Sequence, residues 1–168
     1  MSRCFDLDGT LLNYGNEAFT THVNTALLDT LAGTPDSPVF IKIATNQGGL
    51  QFGEDGSKGF PTVAYFTDRI IRLMDACRER NIYIDRVFAC IYHPKGDQQL
   101  EAYVRDEIAA SSIGRSITVL NDASYRKPAP GMLQMAQCDL YYGDSDEDEQ
   151  AAQAASIPFV RVDRFYGV

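Results

Sequence analysis

The chain has 168 residues, 45% of them hydrophobic and 23% charged, with a net charge of -8 and a pI near 4.6. That length and apolar content fit one compact domain spanning 1–168, with a core that needs no cross-links and no room for a second full domain. The acidic balance and the lack of a Lys/Arg tract disfavour broad nucleic-acid binding while leaving room for a local site, and no apolar run approaches the roughly 20 residues of a membrane span. Cysteines at positions 4, 77, 90 and 138 lack the short paired spacing of a secreted disulfide framework. The expectation is therefore a soluble, untargeted protein of the reducing cytoplasm.

In chain order, Arg3 to Leu7 reads as the first strand and Ala18 to Leu31 as the first helix, with Phe19, Val23, Leu27, Leu28 and Leu31 at helical spacing. Val39 to Thr45 reads as a strand, and Gly48 to Gly59 as a glycine-rich loop. Thr62 to Arg80 repeats the helical pattern through Val63, Phe66, Ile70, Leu73, Met74 and Cys77. Val87 to Tyr92 is a further strand. Pro94 to Tyr125 is a long gap with a helical stretch near Gln98 to Ala110, and Leu140 to Tyr142 and Phe159 to Val162 close the series of strands. Most of these strands are apolar enough to be buried on both faces. Their alternation with helices predicts an α/β fold, a three-layer, Rossmann-like parallel sheet with helices on both faces. Such sheets bind ligands at the carboxyl ends of their strands. Asp6 and Asp8, then Thr45 and Asn46, then Gly143 and Asp144 occupy three of those ends.

In an extended segment, Asp6 and Asp8 share a face. Together they could hold a hard cation such as Mg2+ and divide nucleophilic from proton-transfer work, and Gly9 permits a sharp turn that aims backbone N–H groups at phosphoryl oxygens. Taken alone, Asp-x-Asp reads equally as a loop or cap, Thr45 as a strand-end hydroxyl and Lys127 as a solvated charge. Asp146, Glu147 and Glu149 suit the positive end of a helix dipole.

Read together, Phe5-Asp6-Leu7-Asp8-Gly9-Thr10-Leu11-Leu12, Ala44-Thr45-Asn46-Gln47-Gly48-Gly49, Arg126-Lys127-Pro128-Ala129-Pro130-Gly131-Met132 and Tyr142-Gly143-Asp144-Ser145-Asp146-Glu147-Asp148 resemble the four motifs of the haloacid dehalogenase-like phosphatases. The resemblance spans nearly the whole chain. It implies a metal-dependent phosphomonoesterase with Asp6 as nucleophile and Asp8 as general acid/base. The Asp6 carboxylate, the Asp8 carbonyl and Asp144 would hold Mg2+, with Asp148 supporting the metal directly or through its neighbours. Thr45 and Lys127 would bind the phosphoryl oxygens. Those roles suit a reaction governed by positioning and charge stabilisation. Asn46 is either a substrate contact or a shaper of the turn that presents Thr45.

Thr-Asn-Gln together with Arg-Lys-Pro-x-Pro-Gly-Met is similar to the subgroup holding histidinol-phosphate and heptose-bisphosphate phosphatases and polynucleotide 3'-phosphatase domains. Two departures stand out. The structural zinc loop of the first two is represented only by Cys90-Ile91-Tyr92-His93, because the later cysteine pair is replaced by Asp122, Ala123, Ser124 and Tyr125. The Arg-Gly pair that often follows Thr-Asn-Gln is Phe52-Gly53, which removes a cation for a second phosphate. Arg126 could supply a contact to a distal anion or sit in a surface salt bridge. With no segment long enough for a large cap domain, the site should be open. The expected substrate is a small phosphorylated metabolite, with a DNA or RNA 3'-phosphate end as the alternative. A non-catalytic phosphate-binding protein and a mutase rank lower.

Overall fold

The computed structural model describes residues 1–14, 20–53 and 59–167. The apolar runs pair as β1 (Arg3–Phe5), β2 (Val39–Asn46), β3 (Ile82–Cys90), β4 (Ile117–Leu120), β5 (Leu140–Gly143) and β6 (Phe159–Arg161) in one parallel sheet ordered β4-β3-β2-β1-β5-β6. Between them lie α1 (Thr25–Leu31), α2 (Val63–Arg78), α3 (Gln98–Ala110), α4 (Gly131–Met135) and α5 (Asp146–Ala154). Parallel pairing demands crossovers, and right-handed ones wind the chain outward from β1 to β4 and then back to β5. Helices α1, α2 and α3 accordingly pack their apolar stripes on one face around Phe5, Ile43 and Val87, whereas α4 and α5 cover the other around Ala44 and Tyr141. The α/β, three-layer reading is correct. No described helix is long and apolar enough to cross a membrane.

Local chemistry sets the helix starts. Thr62 caps α2 by accepting from Tyr65 N, and Asp97 caps α3 by accepting from Leu100 N. The first helix is shorter than its pattern: Asn24 caps it by accepting from Leu27 N, and Val23 is held in an antiparallel bridge to Leu12. Ala18 and Phe19 lie outside the described residues, as do 54–58 of the glycine-rich loop, whose first part, Gly48–Phe52, is a 3-10 turn.

Two strands differ from expectation. β3 begins at Ile82 rather than Val87, because Tyr83, Asp85 and Arg86 interrupt the apolar run with residues that lie at least partly in solvent. β4 falls within the segment read as a gap. It is an edge strand of four residues, two of them only half-buried, too short to carry a periodic signal. The cysteine reading also needs correction. Cys4 and Cys138 form a disulfide across 134 residues of sequence, a proximity created by sheet pairing rather than by local spacing. Cys77 and Cys90 are free and buried.

Candidate active site

The chain reverses direction in the sheet between β1 and β5, and the carboxyl ends of β1, β2 and β5 meet at a cavity of about 400 Å³. Asp6, Asp8, Thr45, Asn46, Lys127, Asp144 and Asp148 all line it. Asp6 follows β1 directly and its backbone N–H donates to Tyr142 O of β5 at 2.8 Å. Gly9 adopts φ +84°, and a Cβ there would collide with the Asp144 carboxylate, so this turn lets the loop after β1 close against β5.

The floor of the cavity is a buried charge network. Lys127 Nζ donates to Asp6 Oδ1 at 2.8 Å, Asp148 Oδ1 at 2.6 Å, Tyr141 Oη at 2.7 Å and Ala44 O at 3.2 Å. Burial alone would discharge this ammonium, but the Asp6 and Asp148 carboxylates outweigh it and hold Lys127 well above the ordinary lysine range. Asp148 is held below the usual carboxylate range: burial opposes ionisation, yet the charge and hydrogen bond of Lys127, with Ser145, prevail. Asp6 goes the other way. Burial pushes it well up, Lys127 opposes the shift, and the Asp148 charge adds to it. One ammonium cannot fully offset two buried carboxylates, so Asp6 is the under-compensated member.

Asp148 is fixed from its own helix. It is the third residue of α5 and completes a capping box with Ser145, whose hydroxyl donates to Asp148 Oδ2 at 2.8 Å. Asp146, Glu147 and Glu149 stand in the same first turn, as the helix-dipole reading anticipates. One ligand atom each from Asp6, Asp144 and Asp148 lies within 4.8 Å of the others. A compact set of oxygen donors with excess negative charge fits a hard divalent cation. The Asp8 side chain stands outside that cluster, and its expected contribution is the backbone carbonyl.

Asp8 is oriented by contacts the sequence reading missed. Arg69 Nη1 donates to Asp8 Oδ1 at 2.6 Å, and Gln47 Nε2 donates to Asp8 Oδ2 at 2.8 Å and to Thr45 Oγ1 at 3.0 Å. A signal for Arg69 existed, since it falls on the Phe66, Ile70 and Leu73 stripe of α2, where a charged residue needs a buried partner. Tyr141 lay hidden in an apolar strand. Arg164, which donates from Nε to Asp144 Oδ2 at 2.6 Å, comes from a tail without pattern.

Two predicted substrate contacts are placed differently. Asn46 spends its amide on the backbone of Lys127, donating to Lys127 O and accepting from Lys127 N, both at 3.0 Å. It lines the cavity while clasping the lysine loop. Arg126 does not line the cavity, and its Nη1 donates to Tyr92 O at 2.9 Å. Cys90 and His93 belong to no three-ligand cluster among the described residues, and Cys138 is in the disulfide.

No family model matches the chain. A D-glycero-beta-D-manno-heptose-1,7-bisphosphate 7-phosphatase from Mesorhizobium japonicum is 27% identical over 163 residues, covering 90% of this chain and 64% of the relative. The chain thus spans less than two thirds of that relative's length. The crystal structure of D,D-heptose 1,7-bisphosphate phosphatase from B. bronchiseptica, complexed with magnesium and phosphate, superimposes with a TM-score of 0.66 at 20% identity, covering 99% of this chain and 83% of that one. The likeness to haloacid dehalogenase-like phosphatases carried by the four motifs is borne out, and the solved structure shows the fold to be shared.

Proposed function

We propose that residues 1–168 act as a single Mg2+-dependent phosphomonoesterase unit working through an aspartyl-phosphate at Asp6. The observation that carries this reading is the convergence of the Asp6, Asp144 and Asp148 carboxylates beside the buried Lys127 ammonium. Asp6 attacks phosphorus while the bond to the leaving oxygen breaks and Asp8 supplies the proton that oxygen needs. Water then attacks the acyl phosphate, Asp8 takes its proton, and Asp6 is regenerated. Arg69 and Gln47 hold the Asp8 carboxylate in place for both transfers. Lys127 and Thr45 stabilise charge on the phosphoryl oxygens. Mg2+ held by Asp6, Asp144 and Asp148, with the Asp8 carbonyl, would supply the positive charge that lets a buried carboxylate meet an anionic phosphate.

The substrate class is a small phosphorylated metabolite. The two relatives are named for heptose bisphosphates, which favours a sugar phosphate. Asp146 and Glu147 on the cavity lining disfavour a polynucleotide 3' end, whose neighbouring phosphates would meet them. A cytoplasmic home follows from such a substrate, although a reducing compartment would tend to open the Cys4–Cys138 bridge.

The test is phosphate release from p-nitrophenyl phosphate, with and without Mg2+. We expect turnover only with the metal, and none above buffer for Asp6→Asn. An active Asp6→Asn protein would remove the nucleophile assignment.

A further inference from the structure

We propose that Arg164, on the C-terminal tail, is a specificity-determining residue that binds a second anionic group of the substrate, a phosphate or a carboxylate, inside the active-site cavity. The inference rests on the phosphomonoesterase reading of that cavity. Among the described residues, Asp6, Asp8, Asp144, Asp146, Glu147 and Asp148 line it against two cations, Lys127 and Arg164. An anionic substrate with more than one charged group must place the second against a cation or meet a carboxylate.

Lys127 is not available for that second group. Its side chain is 3% exposed and bound to two carboxylates and to Tyr141 on the floor. Nearby arginines are committed elsewhere: Arg69 to Asp8 and Asn13 O, Arg126 to Tyr92 O, and Arg161 to Asp146, Glu149 and Asp144 O. Arg164 differs from all of them. Its side chain is 35% exposed, lines the cavity and meets one carboxylate, through Nε.

The position of Arg164 is built by the backbone. Val162 N donates to Gly143 O at 2.8 Å, Phe165 N donates to Gly9 O at 2.9 Å, and Tyr14 N donates to Phe165 O at 2.8 Å. These bonds stitch the tail to the loop after β1 and to the end of β5, the two segments that carry Asp6 and Asp144. The guanidinium lies 4.4 Å from the centroid of the Tyr14 ring. A guanidinium has five N–H donors in a planar fork, so the Nε contact with Asp144 leaves donors for a phosphate or carboxylate. Stacking on Tyr14 fixes the plane of that fork. The exposed faces of Tyr14 and Tyr166 supply an apolar border beside it. The tail thereby takes the role that the sequence left open for Arg126.

The test compares Arg164→Gln and Arg164→Lys with the parent protein on three phosphomonoesters. These are p-nitrophenyl phosphate, which has no second anion, a hexose bisphosphate, whose second anion is a phosphate, and 3-phosphoglycerate, whose second anion is a carboxylate. Arg164→Gln is expected to raise KM for one or both of the latter by about 10-fold or more, the loss of one charged contact, while KM for p-nitrophenyl phosphate stays within about 3-fold. Arg164→Lys should recover part of the loss. The substrate that suffers more identifies the anion. An equal loss on all three substrates, accompanied by altered Mg2+ binding in calorimetry, marks a role exerted through Asp144 and overturns the proposal. No change on any substrate overturns it too. A parent protein that releases no phosphate from any of the three overturns the phosphatase reading itself, and this inference with it.

Discussion

The floor and the rim of the cavity are built on different terms. On the floor, Asp6, Lys127, Tyr141 and Asp148 are buried and share hydrogen bonds; Asp6 and Tyr141 come from β1's end and β5, Asp148 from the first turn of α5, and Lys127 from a loop whose backbone Asn46 clasps. At the rim and beyond it, Tyr14, His93, Arg126 and Arg164 sit on loops or the tail, are more exposed and keep fewer contacts. A low-dielectric floor with interlocked partners cannot move one group without unpairing another, which suits chemistry that must not vary. A rim of fewer and more exposed contacts can change without disturbing the fold, which suits it to substrate choice.

The comparison breaks first at Lys127. Lys127→Ala leaves two buried carboxylates without their shared cation, at an expected cost of about 3–5 kcal/mol. Urea denaturation should show the loss of stability and p-nitrophenyl phosphate assays the loss of turnover. Lost turnover with an unchanged midpoint would mean that the floor is not an interlocked unit. Arg69→Met is the next step down. Asp8 keeps a side chain 30% open to water, so stability falls less, by about 1–3 kcal/mol, while kcat falls about 100-fold as the proton donor loses its orientation. A change in KM without one in kcat would detach Arg69 from proton transfer.

Asn46→Ala probes the boundary between the two regions. It removes the clasp on the Lys127 backbone but no charge, so activity should drop about 10-fold, through placement alone. A proportional rise in KM would return Asn46 to direct substrate binding. Ser145→Ala removes half of the capping box around Asp148 and should cost about 1 kcal/mol in thermal unfolding followed by circular dichroism. An unchanged melting curve would show that Lys127 alone fixes Asp148.

The same division explains what the sequence disclosed. Strand ends were legible because a buried parallel strand is a run of apolar residues and the polar residue that ends it is conspicuous, as at Asp6, Thr45 and Asp144. β4 was not, being four residues long on a sheet edge. Arg69 was legible in principle, since its helical spacing places a charge on an apolar stripe. Arg164 and the Cys4–Cys138 pair were not, because folding alone brings the tail to Gly9 and Tyr14 and joins two cysteines 134 residues apart. Arg126 was open in the sequence between a substrate contact and a surface salt bridge, and the loop directs its guanidinium to the Tyr92 carbonyl.

The smallest expected effect belongs to the rim. His93 is partly exposed, its Nδ1 accepts from Lys95 N at 3.0 Å, and its ring edge meets Phe52 at 4.8 Å between centroids. Slight burial, then the charges of Arg126 and Lys95, hold the imidazole below its ordinary value of 6.5. Because the folded value is the lower one, the group favours the fold above the unfolded value, and its contribution is lost as pH falls from 6.5 through the folded value. Proton NMR titration should place the His93 midpoint below 6.5, and Arg126→Ala should move it upward by removing the larger of the two charges. Lys127 on the floor is shifted because it cannot escape its partners, whereas the part of the His93 shift that burial does not supply comes from cations standing nearby. Adding salt therefore discriminates between them: it should carry the His93 midpoint toward 6.5 and leave the buried network unmoved, and a salt-insensitive His93 would place that residue with the floor.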